Sequence, residues 1–117
     1  MPGILVVDDE PGIVTFIEGA LLDEGYAVST AADGLEAVEV AERDKPDLVV
    51  LDMALPRLDG FGVAAELRRR QGDVPILVVT ADGRAREKAE RVGAFDYLKK
   101  PFDLDRLLAL VEERLKA

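Results

Sequence analysis

The chain of 117 residues has no cysteine, no histidine and no tryptophan, and only two tyrosines and four phenylalanines. Without cysteine there is no disulfide framework, no thiolate zinc site and no cysteine nucleophile. Without histidine there is no imidazole base, no Ser-His-Asp triad and no histidine-based metal centre. Any chemistry must run on carboxylates, hydroxyls, amines and backbone groups. Long apolar runs are also missing: the longest are a few residues, against the ~20 that span a bilayer as a helix. Positive charge is scarce, with 15 Lys plus Arg against 24 Asp plus Glu and a formal net charge of -9. A surface of that sign repels phosphate backbones and anionic lipid, which argues against nucleic acid or a membrane as a direct partner. Met1-Pro2-Gly3 leads into Ile4-Leu5-Val6-Val7 with no basic segment before it, so a cytoplasmic location is expected.

What is present is enough for a core. Hydrophobic residues make up 49% of the chain and charged residues 33%, the balance of a folded domain and not of a disordered chain. The length suits one domain over residues 1–117. Three apolar runs share one form: Ile4-Leu5-Val6-Val7 ends at Asp8-Asp9, Leu48-Val49-Val50-Leu51 at Asp52, and Ile76-Leu77-Val78-Val79 at Thr80. Runs that are apolar on both faces and rich in β-branched residues read as central strands of a parallel sheet covered on both sides by helices. Weaker strands are expected at Ala27-Val28-Ser29-Thr30 and Asp96-Tyr97-Leu98-Lys99.

Helical spacing lies between the strands. Ile13, Phe16, Ile17, Ala20 and Leu21 form one apolar stripe, with Pro11 in its first turn and Gly25 at its stop. Leu35, Val38 and Ala41 follow Asp33, and Phe61, Ala64, Ala65 and Leu67 follow Asp59. Leu104, Leu107, Leu108, Val111 and Leu115 follow Asp103, a candidate N-cap. The segment Arg84–Val92 has only Ala85, Ala89 and Val92 as an apolar face, so a loosely held helix is expected there. Five alternations of strand and helix predict a single doubly wound, five-stranded parallel α/β sheet with five helices.

In such a sheet ligands bind beyond the carboxyl ends of the strands, where the strand order reverses. Those ends carry Asp8, Asp9, Asp52 and Thr80, with Lys99 and Lys100 closing the fifth strand. Any one Asp there could simply terminate a strand. Three carboxylates on one edge raise one another's pKa unless a cation relieves them, and an all-oxygen donor set suits a hard divalent ion, Mg2+. No glycine-rich phosphate loop is present, since Asp8-Asp9-Glu10-Pro11-Gly12 lacks the GxGxxG and GK[ST] patterns. Arg68-Arg69-Arg70 reads as a helix end that complements the dipole.

Four motifs together carry a resemblance: Val6-Val7-Asp8-Asp9-Glu10; Asp52 with Pro56 and Asp59-Gly60; Thr80-Ala81; and Tyr97-Leu98-Lys99-Lys100-Pro101-Phe102. In this order, over essentially the whole chain, they resemble the receiver domain of bacterial two-component response regulators. The resemblance implies a flavodoxin-like (βα)5 fold and a phosphorylation-dependent signalling switch. It implies Asp52 as phosphoacceptor, with the phosphoryl group coming from a partner histidine kinase or phosphotransfer protein. It implies Mg2+ held by Asp9, Asp52 and the backbone carbonyl of Ala54, with Asp8 acting through water. Lys100 would pair with Asp52 at rest and with a phosphoryl oxygen afterwards, and the Lys100–Pro101 peptide would be cis. Thr80 would bond the phosphoryl group, Tyr97 would turn inward, and Arg84–Val92 would shift. An output partner and a homodimer formed on phosphorylation also belong to this expectation. Turnover of external substrates does not.

Lys99 competes with Lys100 for the site, and strand alternation admits only one of them; Lys100 is the choice, with Lys99 solvated. Ala54, smaller than the side chains common at that family position, and Asp82 border the path of a water that would attack an acyl phosphate. Two other readings fit less of the chain. An aspartyl-phosphate phosphohydrolase would want Asp-x-Asp after a strand and a cap domain. A phosphorylation-independent interaction module would not need the full set of acids, Thr80 and Lys100.

Overall fold

The computed structural model describes residues 1–81 and 83–116. In chain order they form β1 (Gly3–Val7), α1 (Pro11–Asp23), β2 (Ala27–Ala31), α2 (Gly34–Asp44), β3 (Leu48–Leu51), α3 (Gly60–Gln71), β4 (Ile76–Thr80), α4 (Ala85–Val92), β5 (Asp96–Lys99) and α5 (Leu104–Lys116). The strands make one sheet in the order β2-β1-β3-β4-β5, parallel at every pairing. Five parallel strands, each followed by a helix, are the flavodoxin-like arrangement expected.

Strand alternation divides the core into two layers. Leu5, Val7, Val49, Leu51, Ile76 and Val78 face α2, α3 and α4, where Ala37, Ala41, Val63, Leu67 and Ala89 close over them. Ile4, Val6, Leu48, Val50, Leu77 and Val79 face the other way, onto Ile17 and Leu21 of α1 and Leu107, Leu110 and Val111 of α5. Each central strand is therefore apolar throughout because each of its faces is covered.

The helices start where the sequence signals them. Asp33 accepts a hydrogen bond from the Glu36 N–H (2.8 Å), Asp59 from the Gly62 N–H (2.9 Å) and Asp103 from the Asp105 N–H (2.9 Å). Pro11 occupies the first turn of α1, and Gly93, at φ +68°, closes α4 in the left-handed conformation.

Three apolar residues expected on buried stripes lie outside: Phe16, Leu35 and Ala65 are exposed. On α2 the buried face is centred on Gly34, Ala37 and Ala41, with Val38 and Val40 at its flanks, and at 100° per residue Leu35 falls on the far side. On α1 the core takes Ile17 and Leu21, while Phe16 lies one step round the helix in solvent. Helix α4 matches its thin pattern, with only Ala85 and Ala89 buried. No helix among the described residues is long and apolar enough to cross a membrane.

Candidate functional site

The strand order reverses between β1 and β3, since the chain leaves β1 for β2 on one side and returns to β3 on the other. Val7 pairs with Leu51, so Asp8 and Asp52, the next residue of each strand, emerge side by side at that point. Both are nearly buried, at 3% and 4% exposure, as is Thr80 at the end of β4 at 1%. The structure brings these sequence-predicted residues to one edge of the sheet.

Lys100 completes the group. Its Nζ lies 2.8 Å from Asp8 Oδ2, 3.2 Å from Glu10 Oε1 and 3.3 Å from Asp52 Oδ2. The Lys100 N–H donates to the Thr80 carbonyl (2.9 Å), one step past the end of β5, and Pro101 has no N–H with which to extend the ladder. The Lys100–Pro101 peptide is cis. Lys99 is exposed, so the choice between the two lysines follows the strand alternation.

The carboxylates are oriented by backbone groups as well. Asp8 Oδ1 accepts from the Glu10 N–H (2.9 Å), leaving Oδ2 for the ammonium. Asp52 Oδ1 accepts from the Ala54 N–H (3.1 Å) while Oδ2 faces Lys100. Burial pushes the Asp52 carboxyl above its ordinary value; the Ala54 N–H and the Lys100 charge oppose that and the Asp8 charge adds to it, with a net rise. Burial pulls the Lys100 ammonium down, but the bond to Asp8, the Asp52 charge and the Glu10 contact outweigh it, so Lys100 stays firmly protonated.

Glu10 was not among the expected site residues. Its side chain joins because an ammonium from ninety residues further along the chain reaches it, which no local pattern reports. Its position directly after Asp8-Asp9 was the available signal. The crowding of acids at this edge is also relieved in part by Lys100, so the carboxylates alone do not require a metal. They still fit one. Oxygens of Asp8, Asp9 and Glu10 lie within 4.8 Å of one another; with Asp52 they set four carboxylates against one ammonium. An excess of hard oxygen donors with net negative charge is what Mg2+ takes.

Two other expected residues lie toward solvent. Ala54 is exposed, just past Asp52. Tyr97 is 37% exposed on β5, opposite Val78 of β4, and so lies outside the carboxylate cluster. Asp82 lies outside the described residues.

A family model for the response regulator receiver domain matches residues 4–112. The DNA-binding dual master transcriptional regulator RpaA of Synechocystis sp. is 42% identical over 120 residues, covering 99% of this chain and 50% of that protein. The chain thus spans about half the length of the curated relatives it matches. Among solved structures, the receiver domain of sensor histidine kinase PA1611 from Pseudomonas aeruginosa, with a magnesium ion coordinated in its active site cleft, is 37% identical with a TM-score of 0.88. The match covers 99% of this chain and 98% of that one. Response regulator TrrA from Thermotoga maritima, in complex with Mg2+ and BeF, is 37% identical with a TM-score of 0.88, over 98% of this chain and 100% of that one.

Proposed function

The chain belongs to the response regulator receiver family, and from that premise we propose that it is a two-component switch phosphorylated on Asp52. One observation carries this reading: Asp52 is buried at the switch point, with one oxygen on the Ala54 N–H and the other on the Lys100 ammonium, beside an excess of carboxylate. We read residues 1–117 as one receiver domain in the cytoplasm.

The donor is a phosphohistidine on a partner sensor kinase or phosphotransfer protein, since this chain has no histidine. An Asp52 carboxylate oxygen bonds to phosphorus as the phosphorus–nitrogen bond breaks, and the electron pair of that bond leaves with the donor imidazole. The nucleophile must be deprotonated; burial works against that, and Lys100 and the Ala54 N–H work for it. Asp9, Asp52 and the Ala54 carbonyl, with Asp8 through water, would hold Mg2+, whose charge would offset that of the transferring phosphoryl oxygens. Lys100, freed from Asp52, keeps Asp8 as its anchor and pairs with a phosphoryl oxygen.

The Thr80 hydroxyl then donates to the phosphoryl group, and Tyr97, outward on β5, turns toward the space Thr80 leaves. Helix α4 shifts because its hold on the core is thin, with Ala85 and Ala89 buried and Val92 half-buried. The protein promotes its own phosphorylation and dephosphorylation and does not turn over external substrates. Its output is through another protein or domain, with a phosphorylation-dependent homodimer as one form, and not through nucleic acid bound by this chain.

Backbone NMR with Mg2+ and beryllofluoride, a stand-in for the phosphoryl group, tests the switch. Amide shifts should move at Asp52, at Thr80 and across Arg84–Tyr97 in the wild type and stay in place in Asp52→Ala. Shifts confined to Asp8–Glu10 and Asp52 would contradict the switching role while leaving the site intact.

A further inference from the structure

The junction of β2 and α2, residues 31–34, touches both halves of the acid cleft. On one side, the Ala31 carbonyl accepts the Asp8 N–H (3.1 Å). On the other, the Gly34 N–H donates to the Pro56 carbonyl (3.3 Å) in the loop that follows Asp52. Asp33 Oδ2 lies 3.6 Å from Arg57 Nη1 in the same loop, and Arg57 holds a φ of +69°, rare for a non-glycine residue.

The turn is stiff and the loop pressed against it. Asp33 caps the Glu36 N–H (2.8 Å), and Glu36 Oε1 reaches back to the Ala32 N–H (2.6 Å). A Cβ on Gly34 would stand 2.5 Å from the Leu58 carbonyl carbon and 2.6 Å from Leu58 Cβ. The first of these neighbours is backbone, which no rotamer change can move aside, so the loop itself would have to shift. The loop has little slack between that contact and the site. Leu58 N–H bonds the Pro56 carbonyl (2.8 Å), Gly60 N–H bonds the Met53 carbonyl (3.0 Å), and Asp52 N–H bonds the Val7 carbonyl (3.0 Å).

We propose that the turn at residues 31–34 sets how far the loop after Asp52, with its Ala54 carbonyl, stands from Asp8 and Asp9 across the Mg2+ cleft, with Gly34 as a positioning residue. This rests on the receiver reading above. Adding one methyl group at Gly34 displaces the loop that carries the Ala54 carbonyl from a cleft wall that the Ala31 carbonyl keeps in place, while the Asp52 N–H stays on the Val7 carbonyl. The effect on the metal is of the kind made by groups behind a ligand shell, where loss of a support weakens affinity about tenfold or more. A helix-first-turn Gly→Ala change with no such contact is neutral or stabilising, because alanine is the better helix former.

The test is Mg2+ titration of the wild type, Gly34→Ala and Arg57→Gly by NMR, with thermal melts in EDTA and phosphorylation by a small acyl phosphate at low and saturating Mg2+. The proposal expects a cooperatively folding Gly34→Ala whose Mg2+ affinity is about tenfold weaker, with phosphorylation recovering as Mg2+ saturates. A folded Gly34→Ala that binds Mg2+ like the wild type overturns it. Should that variant not fold, Arg57→Gly decides: it removes the ion pair to Asp33 while suiting the positive φ, and weaker Mg2+ binding supports the proposal whereas unchanged binding refutes it. A wild type that binds no Mg2+ overturns the receiver reading itself and this inference with it.

Discussion

Replacing Lys100 by methionine keeps most of the side-chain volume and removes the ammonium that faces Asp8 and Asp52. Its Nζ stands within 3.3 Å of Asp52 and 2.8 Å of Asp8. The Glu10 contact adds little, because that side chain is largely exposed and its charge is screened. What counts is the loss of the partner to two nearly buried carboxylates, a change that costs ~3–5 kcal/mol when the remaining charge has no other relief. Some relief exists, since Asp52 is already raised by burial and can take up a proton once Lys100 is gone, which places the loss at the lower end, about 3 kcal/mol at neutral pH. The sign with pH follows from the same group. A carboxyl whose folded pKa is raised binds more protons folded than unfolded, so its stability contribution falls as pH rises. Urea unfolding in EDTA from about pH 5 to about pH 8 should therefore show a deficit relative to wild type that widens with pH. A deficit under about 0.5 kcal/mol, the range of ordinary surface substitutions, or one that does not change with pH, would refute the reasoning.

Two other outcomes follow from the same site. Asp52→Asn keeps the Ala54 N–H bond and removes a carboxylate that burial disfavours, so its stability should gain on the wild type as pH rises above 3.8, read by denaturant unfolding; a constant or shrinking difference would contradict the raised Asp52 pKa. Tyr97→Ala alters a half-exposed side chain and should shift stability by less than about 0.5 kcal/mol while leaving beryllofluoride binding intact and cutting the amide shifts across α4; unaltered α4 shifts would remove Tyr97 from the switch.

Most of the architecture was legible because the central strands are apolar on both faces and each ends on a polar residue. Ile4–Val7, Leu48–Leu51 and Ile76–Val79 need no tertiary information to be recognised, and Asp33, Asp59 and Asp103 mark helix starts by a local hydrogen bond. Which turn of an amphipathic helix faces the core was less legible: Phe16 and Leu35 satisfied the apolar spacing yet lie outside, because small residues on α2 and the pair Ile17 and Leu21 on α1 set the packed faces. At the site, Asp8, Asp52 and Thr80 followed from their place at strand ends. The part of Glu10 did not, nor did the press of Leu58 on Gly34, since both depend on segments far apart in the chain. The pairing of Lys100 with Asp52 was expected from the family resemblance, whereas its closer contact with Asp8, at 2.8 Å, was not.

Under the proposed function Asp52 is a Mg2+-dependent phosphoacceptor. Intact-mass spectrometry after incubation with a small acyl or amido phosphate donor, with Mg2+ and with EDTA, on the wild type and Asp52→Ala, tests that directly. One added phosphoryl group, present only with Mg2+ and only when Asp52 is there, is the predicted result. A wild type that gains no mass and releases no phosphate from the donor, or an Asp52→Ala chain modified to the same extent, would contradict it.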